Sequence, residues 1–280
     1  MRLKTLYDST GPSGRLTTEL QALYDGDLVF PDPTRTRPFI IGNFVQSLDG
    51  VVSFKIQGHS GGGDISGRNE EDTFIMGLLR SCADAVLIGE ETYRVAPGHF
   101  WTADFIHPKR KQEYQALRRR LAKRSPYPLT VIVSGKGSVD LDGALFRHSD
   151  VKTVVLTTKK GREHLEQKHG AALPADVQVL PGETVLHAGD MAGLLYESYG
   201  VRLLVHEGGP TLFAGFLRDD LIDELFLTIA PQIVGGGASG ERPNFSGHLS
   251  FGPEKAMWTT LLSVKSANTG HLFLRYRRTP

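Results

Sequence analysis

Along residues 38–278, short apolar runs alternate with segments whose apolar positions recur at helical spacing. "FIIGNFVQS", "DAVLIG", "LTVIVS", "KTVVLTT", "VQVLP", "VRLLVHE" and "ELFLTIAPQIV" are compact, β-branched or aromatic runs bounded by turn residues, as buried strands are. Between them, "EEDTFIMGLLRSCA" sets Phe74, Met76, Leu78 and Leu79 at helical spacing. "RKQEYQALRRRLAKR" sets Tyr114, Leu117 and Leu121 on one side of a basic helix. "GREHLEQKH", "DMAGLLYESY" and "PTLFAGFLRD" read as further helices. This alternation predicts an α/β domain with a mostly parallel sheet. The end of the chain breaks the pattern: "WTTLLSVKSANTGHLFLRYRR" holds two strands around the turn "ANTG" and no helix. A C-terminal antiparallel hairpin at the sheet edge, and hence a mixed sheet flanked by helices, is the expected architecture.

Residues 1–37 stand apart. "DSTGPSGR" and "FPDPTRTRP" are rich in turn residues and bracket "LTTELQALYD", so an N-terminal arm with one short helix is expected ahead of a domain over 38–280.

Composition narrows the function. The 280 residues carry a formal net charge of +1, which gives no global field toward nucleic acid or a membrane surface. The N-terminus lacks a signal-peptide core and no apolar run is long enough to span a bilayer, so a soluble, cytoplasmic chain is expected. Cys82, the one cysteine, reads as a buried structural thiol. The basic run around 109–124 reads as the solvated face of an amphipathic helix rather than a nucleic-acid contact, and Asp223 and Glu224 as a surface strand start. His164 and His169 lack ligand spacing, so they read as solvated side chains and no metal is expected. The glycine-rich stretch at 235–240 matches GxGxxG in form only, because no helix follows.

Candidate chemistry lies at two strand ends. "VLIGEETYR" runs from a strand through Gly89 to Thr92, and "LLVHEGGPTLF" runs through Gly208, Gly209 and Pro210 to Thr211. In parallel sheets, ligands bind beyond the carboxyl ends of the strands. A helix start offers free N–H groups and a partial positive charge, and glycine lets the backbone come close. Together the two turns suit a dinucleotide pyrophosphate; either alone says little. Donors for a ribose 2′-phosphate are sought after the next strands, at Ser134 and Lys136 in "VSGKG" and at Thr158 and Lys159 in "LTTKKG".

These segments carry a resemblance. "VHEGGPTLFAGFLRDDLIDELFLTIAPQIVGGG", "NFVQSLDGVVS" and "LLRSCADAVLIGEETYR" resemble, in order, motifs of the reductase domain of bacterial bifunctional riboflavin-biosynthesis deaminase–reductases. The resemblance covers residues 38 to about 278. It implies a dihydrofolate-reductase-like fold, NADPH as cofactor and a homodimer. By position it implies that Gly89, Thr92 and the run from Gly209 through Leu212 to Gly215 line the NADPH. Ser47 and Asp49 would sit beside the cleft, with Asp49 orienting the sugar or relaying a proton. Glu207 would hold the pyrimidine and Arg80 its phosphate. Without the resemblance, Asp49 reads as a turn residue in "SLDG".

Two positions depart from that pattern: Asn43 stands where lysine is frequent, and Ala96 where aspartate is. The expected activity is reduction of a small molecule, with 5-amino-6-(5-phosphoribosylamino)uracil as the lead substrate. A single cysteine excludes the zinc deaminase motif within this sequence, so it would carry the reductase half alone. The alternatives are reduction of another pterin, imine or carbonyl, dihydrofolate included, and nucleotide binding without turnover.

Overall fold

The computed structural model describes residues 1–11, 13–32, 36–237 and 242–279; 238–240 of the expected loop at 235–240 lie outside them. In chain order the elements are β1 (Lys4–Asp8), α1 (Thr18–Tyr24), β2 (Phe39–Gln46), α2 (Gly62–Ile65), α3 (Glu70–Cys82), β3 (Ala85–Gly89), α4 (Glu90–Val95), α5 (Ala103–Ile106), α6 (Lys111–Arg120), β4 (Leu129–Val133), α7 (Ala144–Arg147), β5 (Thr153–Thr157), α8 (Lys159–His169), β6 (Asp176–Val179), α9 (Ala188–Tyr199), β7 (Leu203–His206), α10 (Pro210–Arg218), β8 (Glu224–Ile229), β9 (Thr259–Ser266) and β10 (Leu272–Arg278).

The strands form one ten-stranded sheet in the order β1-β9-β10-β8-β2-β7-β3-β4-β5-β6. From β8 to β6 all pairings are parallel, and β10, β9 and β1 add antiparallel strands, so the sheet is mixed as expected. Side chains alternate across each strand, which gives two cores. On one face Phe74, Leu78, Tyr114, Leu117 and Leu165 of α3, α6 and α8 cover Ile41, Val86, Ile132 and Val155. On the other, Met191, Leu195, Phe213 and Phe216 of α9 and α10 cover Ile40, Leu87, Val131 and Leu204. The parallel strands thus end together along one edge.

The C-terminal hairpin is not the edge of the sheet. Strand β1 pairs antiparallel with β9, from Lys4 opposite Ser266 to Asp8 opposite Ser263. "KTLYD" is too short and polar to announce a strand, and it is secured from outside itself. The buried Lys265 ammonium donates to Thr5 Oγ1 at 2.8 Å and to the Asp25 carbonyl at 2.9 Å. Helix α1, capped by the Thr17 hydroxyl, buries Leu20 and Tyr24 in the same core as α3.

Three side chains read as solvated lie inside. Glu224 is buried at the start of β8, where Arg275 donates to it from Nε at 2.8 Å and Arg277 from Nε at 2.9 Å. Arg118 turns inward from the basic helix α6 and donates to the carbonyls of Arg80, Ser81 and Ala83, closing the C-terminal end of α3. Burial lowers its pKa to about 10. The His169 side chain is tucked in, with Nδ1 3.6 Å from Asp142 Oδ2, whereas His164 is exposed. Long side chains reach partners on other elements, which a local pattern does not reveal.

Asp27 ties residues 13–28 together. Its carboxylate accepts from the Ser13 hydroxyl at 2.7 Å and from the N–H groups of Arg15, Leu16 and Leu28 at 3.0, 2.9 and 2.9 Å. Burial alone would raise its pKa; these hydrogen bonds outweigh burial and hold it at about 2. A carboxylate held below its unfolded pKa stabilises the fold above that pKa, and the contribution is lost as pH falls through the folded value. Chemical denaturation of Asp27→Ala is therefore expected to show a loss of about 2–4 kcal/mol at pH 7. The difference from the parent chain should shrink between pH 4 and pH 2; a change below about 0.5 kcal/mol at pH 7 would contradict this role.

Candidate active site

The carboxyl ends of β2, β7 and β3 lie side by side in the sheet, and each runs into a turn rich in small residues. Arg80, in the last turn of α3, and Glu207, just past β7, meet there. Arg80 Nε donates to Glu207 Oε1 at 3.1 Å and Arg80 Nη2 to Oε2 at 2.7 Å. The two side chains are 1% and 6% exposed. Arg80 Nη1 donates to the Thr102 carbonyl at 3.1 Å and lies 3.5 Å from His99 Nε2. Burial, and then the charge of Arg80, push the His99 pKa down to about 3, so this imidazole is neutral near pH 7. Arg80 is thus engaged with Glu207 and has no exposed surface to offer a phosphate.

Ser47 and Asp49 form the turn after β2. The Ser47 hydroxyl donates to Asp49 Oδ1 at 2.5 Å and accepts from the Val51 N–H at 3.0 Å, and the residue is fully buried. Ser47 therefore shapes the turn and does not face the cleft. Asp49 is exposed and accepts from the N–H groups of Val234 at 3.2 Å and Gly235 at 2.6 Å. The hydrogen bond from Ser47, followed by those from Val234 and Gly235, lowers its pKa to about 2. Asp49 is a carboxylate near pH 7, suited to pinning the segment after β8 and not to donating a proton.

Asn43 lies on β2 opposite Phe226 of β8, half-buried. Its side chain makes no hydrogen bond among the described residues. Ala96 ends α4 as its C-cap, three residues before His99. Sequence reading missed Asp72, in the first turn of α3 and buried. Burial raises its pKa, hydrogen bonds with Thr228 and Ser66 oppose that, and the nearby Glu207 adds to the rise. In "NEED" it reads only as one of several acids at a helix start, which is why the pattern hides it.

The two glycine turns are not alike. At α10 the N-cap is Gly209, Pro210 takes the first turn, no side chain caps the helix and no acid lies in the first turn. A Cβ at Gly209 would meet nothing within 4 Å. Thr211 is exposed beside it and Leu212 half-buried. Gly208 has the opposite surroundings: a Cβ there would lie 2.9 Å from both His206 Cε1 and Leu212 Cδ2, and 3.4 Å from the Gly89 nitrogen. Gly208 thus lets the two turns pack together, while the backbone at Gly209 faces open space. His206 supports this corner; its Nδ1 accepts from the Gly208 N–H at 3.2 Å, and burial pushes its pKa down to about 3. At α4 the N-cap is Gly89, but the helix has six residues and its first turn carries Glu90 and Glu91. Thr92 is half-buried on it.

The expected 2′-phosphate donors are partly engaged. The Ser134 hydroxyl donates to Glu90 Oε2 and accepts from the Ser138 N–H at 3.0 Å. Thr158 is fully buried as the N-cap of α8; its hydroxyl accepts from Gly161 N–H at 3.1 Å and donates to the Gly135 carbonyl at 2.8 Å. Lys136 and Lys159 are exposed and form no ion pair among the described residues. For a dinucleotide, the residues present fit a pyrophosphate at Gly209, where a Cβ would fill an open cradle; they fit a 2′-phosphate less well.

The chain is similar to proteins named as reductases. It is 28% identical over 202 residues to the 2,5-diamino-6-ribosylamino-4(3H)-pyrimidinone 5′-phosphate reductase of Archaeoglobus fulgidus, covering 71% of this chain and 83% of that one. A protein of the same name from Aquifex aeolicus is 29% identical over 203 residues, covering 71% and 80%. The crystal structure of a pyrimidine reductase-like protein from Corynebacterium diphtheriae shares the fold, with a TM-score of 0.70 at 21% identity over 94% of this chain and 100% of that one. No helix among the described residues is long and apolar enough to cross a membrane. With the RibD C-terminal domain model matching residues 38–251, which hold the whole parallel part of the sheet and its turns, the chain belongs to that family.

Proposed function

We propose that this chain is a reductase that transfers hydride from a reduced nicotinamide dinucleotide to a ribosylaminopyrimidine 5′-phosphate. The observation that carries the reading is the bare start of α10 at Gly209, set directly after the buried Arg80–Glu207 pair. The family and the names of the relatives support the substrate class. NADPH is the dinucleotide the resemblance implies, and the side chains after β3, β4 and β5 decide between it and NADH.

Gly209, Thr211 and Leu212 would hold the pyrophosphate through the helix start, with Gly89 and Gly208 keeping the two turns in contact. When bound, the dinucleotide would supply a hydride to the first carbon of the sugar in its open-chain imine form, the C=N π bond breaking as a proton from water reaches the nitrogen. Arg80 uses one lone pair on each Glu207 oxygen, which leaves acceptor capacity for the N–H groups of a pyrimidine. Asn43 offers a free amide from β2 to the same space. Asp49 positions the segment after β8.

The two glycines separate binding from folding. Gly209→Val is expected to keep the melting temperature of the unliganded chain and to weaken dinucleotide binding at least about tenfold, read by nicotinamide fluorescence. Unchanged binding removes this turn from the site. Gly208→Ala is expected to cost about 1–3 kcal/mol in denaturation without any ligand.

The ion pair gives a further expectation. Arg80→Met leaves Glu207 buried and unpaired, with a loss of about 3–5 kcal/mol by chemical denaturation. Turnover of the reading itself is tested with the diaminopyrimidinone and aminouracil forms of the ribosylamino phosphate, assayed beside dihydrofolate. Dinucleotide oxidation by neither of the first two defeats the proposed reaction.

A further inference from the structure

At the far side of the cleft, a carboxylate stands where a phosphate was expected. The strand order is β7-β3-β4-β5, so a ligand gripped at the end of β7 can extend over the ends of β3 and β4. The end of β4 lies two strand spacings from that of β7, about 10 Å. The polar groups suited to the reacting end, Arg80, Glu207 and Asn43, cluster at β2 and β7, which directs the adenosine half the other way, toward β4. Between the two strand ends stands Glu90, directly past β3, half-buried in the first position of α4 and reaching Ser134 past β4. Its Oε2 accepts the Ser134 hydroxyl, and its Oε1 has no hydrogen-bond partner among the described residues.

This arrangement opposes a 2′-phosphate in two ways. The carboxylate repels the dianion at short range, in a half-buried setting that salt screens poorly. It also draws the Ser134 proton to itself, so that the hydroxyl on which a phosphate would depend is already donating. Thr158, the other hydroxyl, is committed to capping α8. A ribose 2′-hydroxyl, by contrast, is a donor, and the free Oε1 of Glu90 is an acceptor that suits it. Acidic side chains read the unphosphorylated ribose in this way in dinucleotide sites of other folds. Lys136, two residues past Ser134, and Lys159, after β5, are exposed cations on flexible stems with no ion pair among the described residues.

We propose that Glu90 selects against the 2′-phosphate, so that this chain binds NADH at least as tightly as NADPH. The inference rests on the proposed dinucleotide site at Gly209 and concerns the other end of the same ligand. The full chain is titrated with NADH and with NADPH by nicotinamide fluorescence, for the parent, Glu90→Ala and Ser134→Ala. A Glu90→Ala chain that melts normally is expected to bind NADPH about tenfold or more tightly than the parent does, while NADH binding stays level or weakens. Ser134→Ala removes the hydroxyl but keeps the carboxylate, so it is expected to retain the parent's selection; it carries the test if Glu90→Ala does not fold. Loss of the selection in Ser134→Ala counts against Glu90, as does a parent chain that binds NADPH more tightly than NADH, or a Glu90→Ala chain in which both affinities move together. In all three of those outcomes binding at Gly209 survives. Binding of neither dinucleotide, even at millimolar concentration, defeats the underlying site and the inference with it.

Discussion

A charged pair removed from water holds its place only when each partner supplies what solvent would have supplied. The Arg80–Glu207 contact meets that condition, and the cleft depends on it. Arg80 spends Nε and Nη2 on the carboxylate and Nη1 on the Thr102 carbonyl. The backbone carbonyl of Arg80 is in turn held by Arg118 of α6. One residue therefore links α3 to the end of β7, to the segment before α5 and, through Arg118, to α6. Glu207 is the last residue before the glycine turn, and its N–H donates to the Leu87 carbonyl of β3 at 2.9 Å. The position of the turn is set by a network and not by the turn itself.

The same logic recurs at the other end of the sheet. Glu224 and Arg275 form a buried pair where β8 and β10 meet, joined from the surface by the part-exposed Arg277, and Arg275 lies against the rings of Phe30 and Phe226. Lys265 carries a further charge, over the Tyr24 ring at 4.3 Å. Phe30 and Tyr24 come from the first 32 residues, so this N-terminal segment closes over charges that the C-terminal strands would otherwise expose. A paired charge in a covered layer specifies its partners more sharply than an apolar contact does, because a displaced arginine has few substitutes for its carboxylate.

These networks also explain what could be read from the sequence. Alternation of apolar runs revealed the parallel strands, α3, α6, α8, α9 and α10 and the C-terminal hairpin, since those signals are local. Gly208 and Gly209 stood out because two glycines between an apolar run and a helix have a backbone meaning. What stayed hidden was the partner of each charge. Arg118 lies among arginines on one helix and differs from them only in where it points. Ser134 looked like a free hydroxyl until Glu90, 44 positions earlier, was found on it. Asp72 looked like helix-start chemistry, and β1 was five polar-leaning residues whose support lies on β9. In each instance the deciding neighbour is distant in sequence, and single residues of common type leave no trace of it.

The contrast between the two helix starts follows from the same electrostatics. Free N–H groups at a helix start carry partial positive charge that something must answer. At α4 the first turn carries two carboxylates of the chain, Glu90 and Glu91, whose charge disfavours a further anion there. At α10 the chain supplies neither a capping side chain nor an acid, and Gly209 keeps the approach clear. Glu207, two residues before Gly209, has its charge balanced by Arg80. A start left bare beside a carboxylate that is itself neutralised favours an incoming anion over any group the chain holds nearby. In the proposed reaction, that asymmetry would put the diphosphate at α10 and leave Glu90 of α4 to face the sugar beyond it.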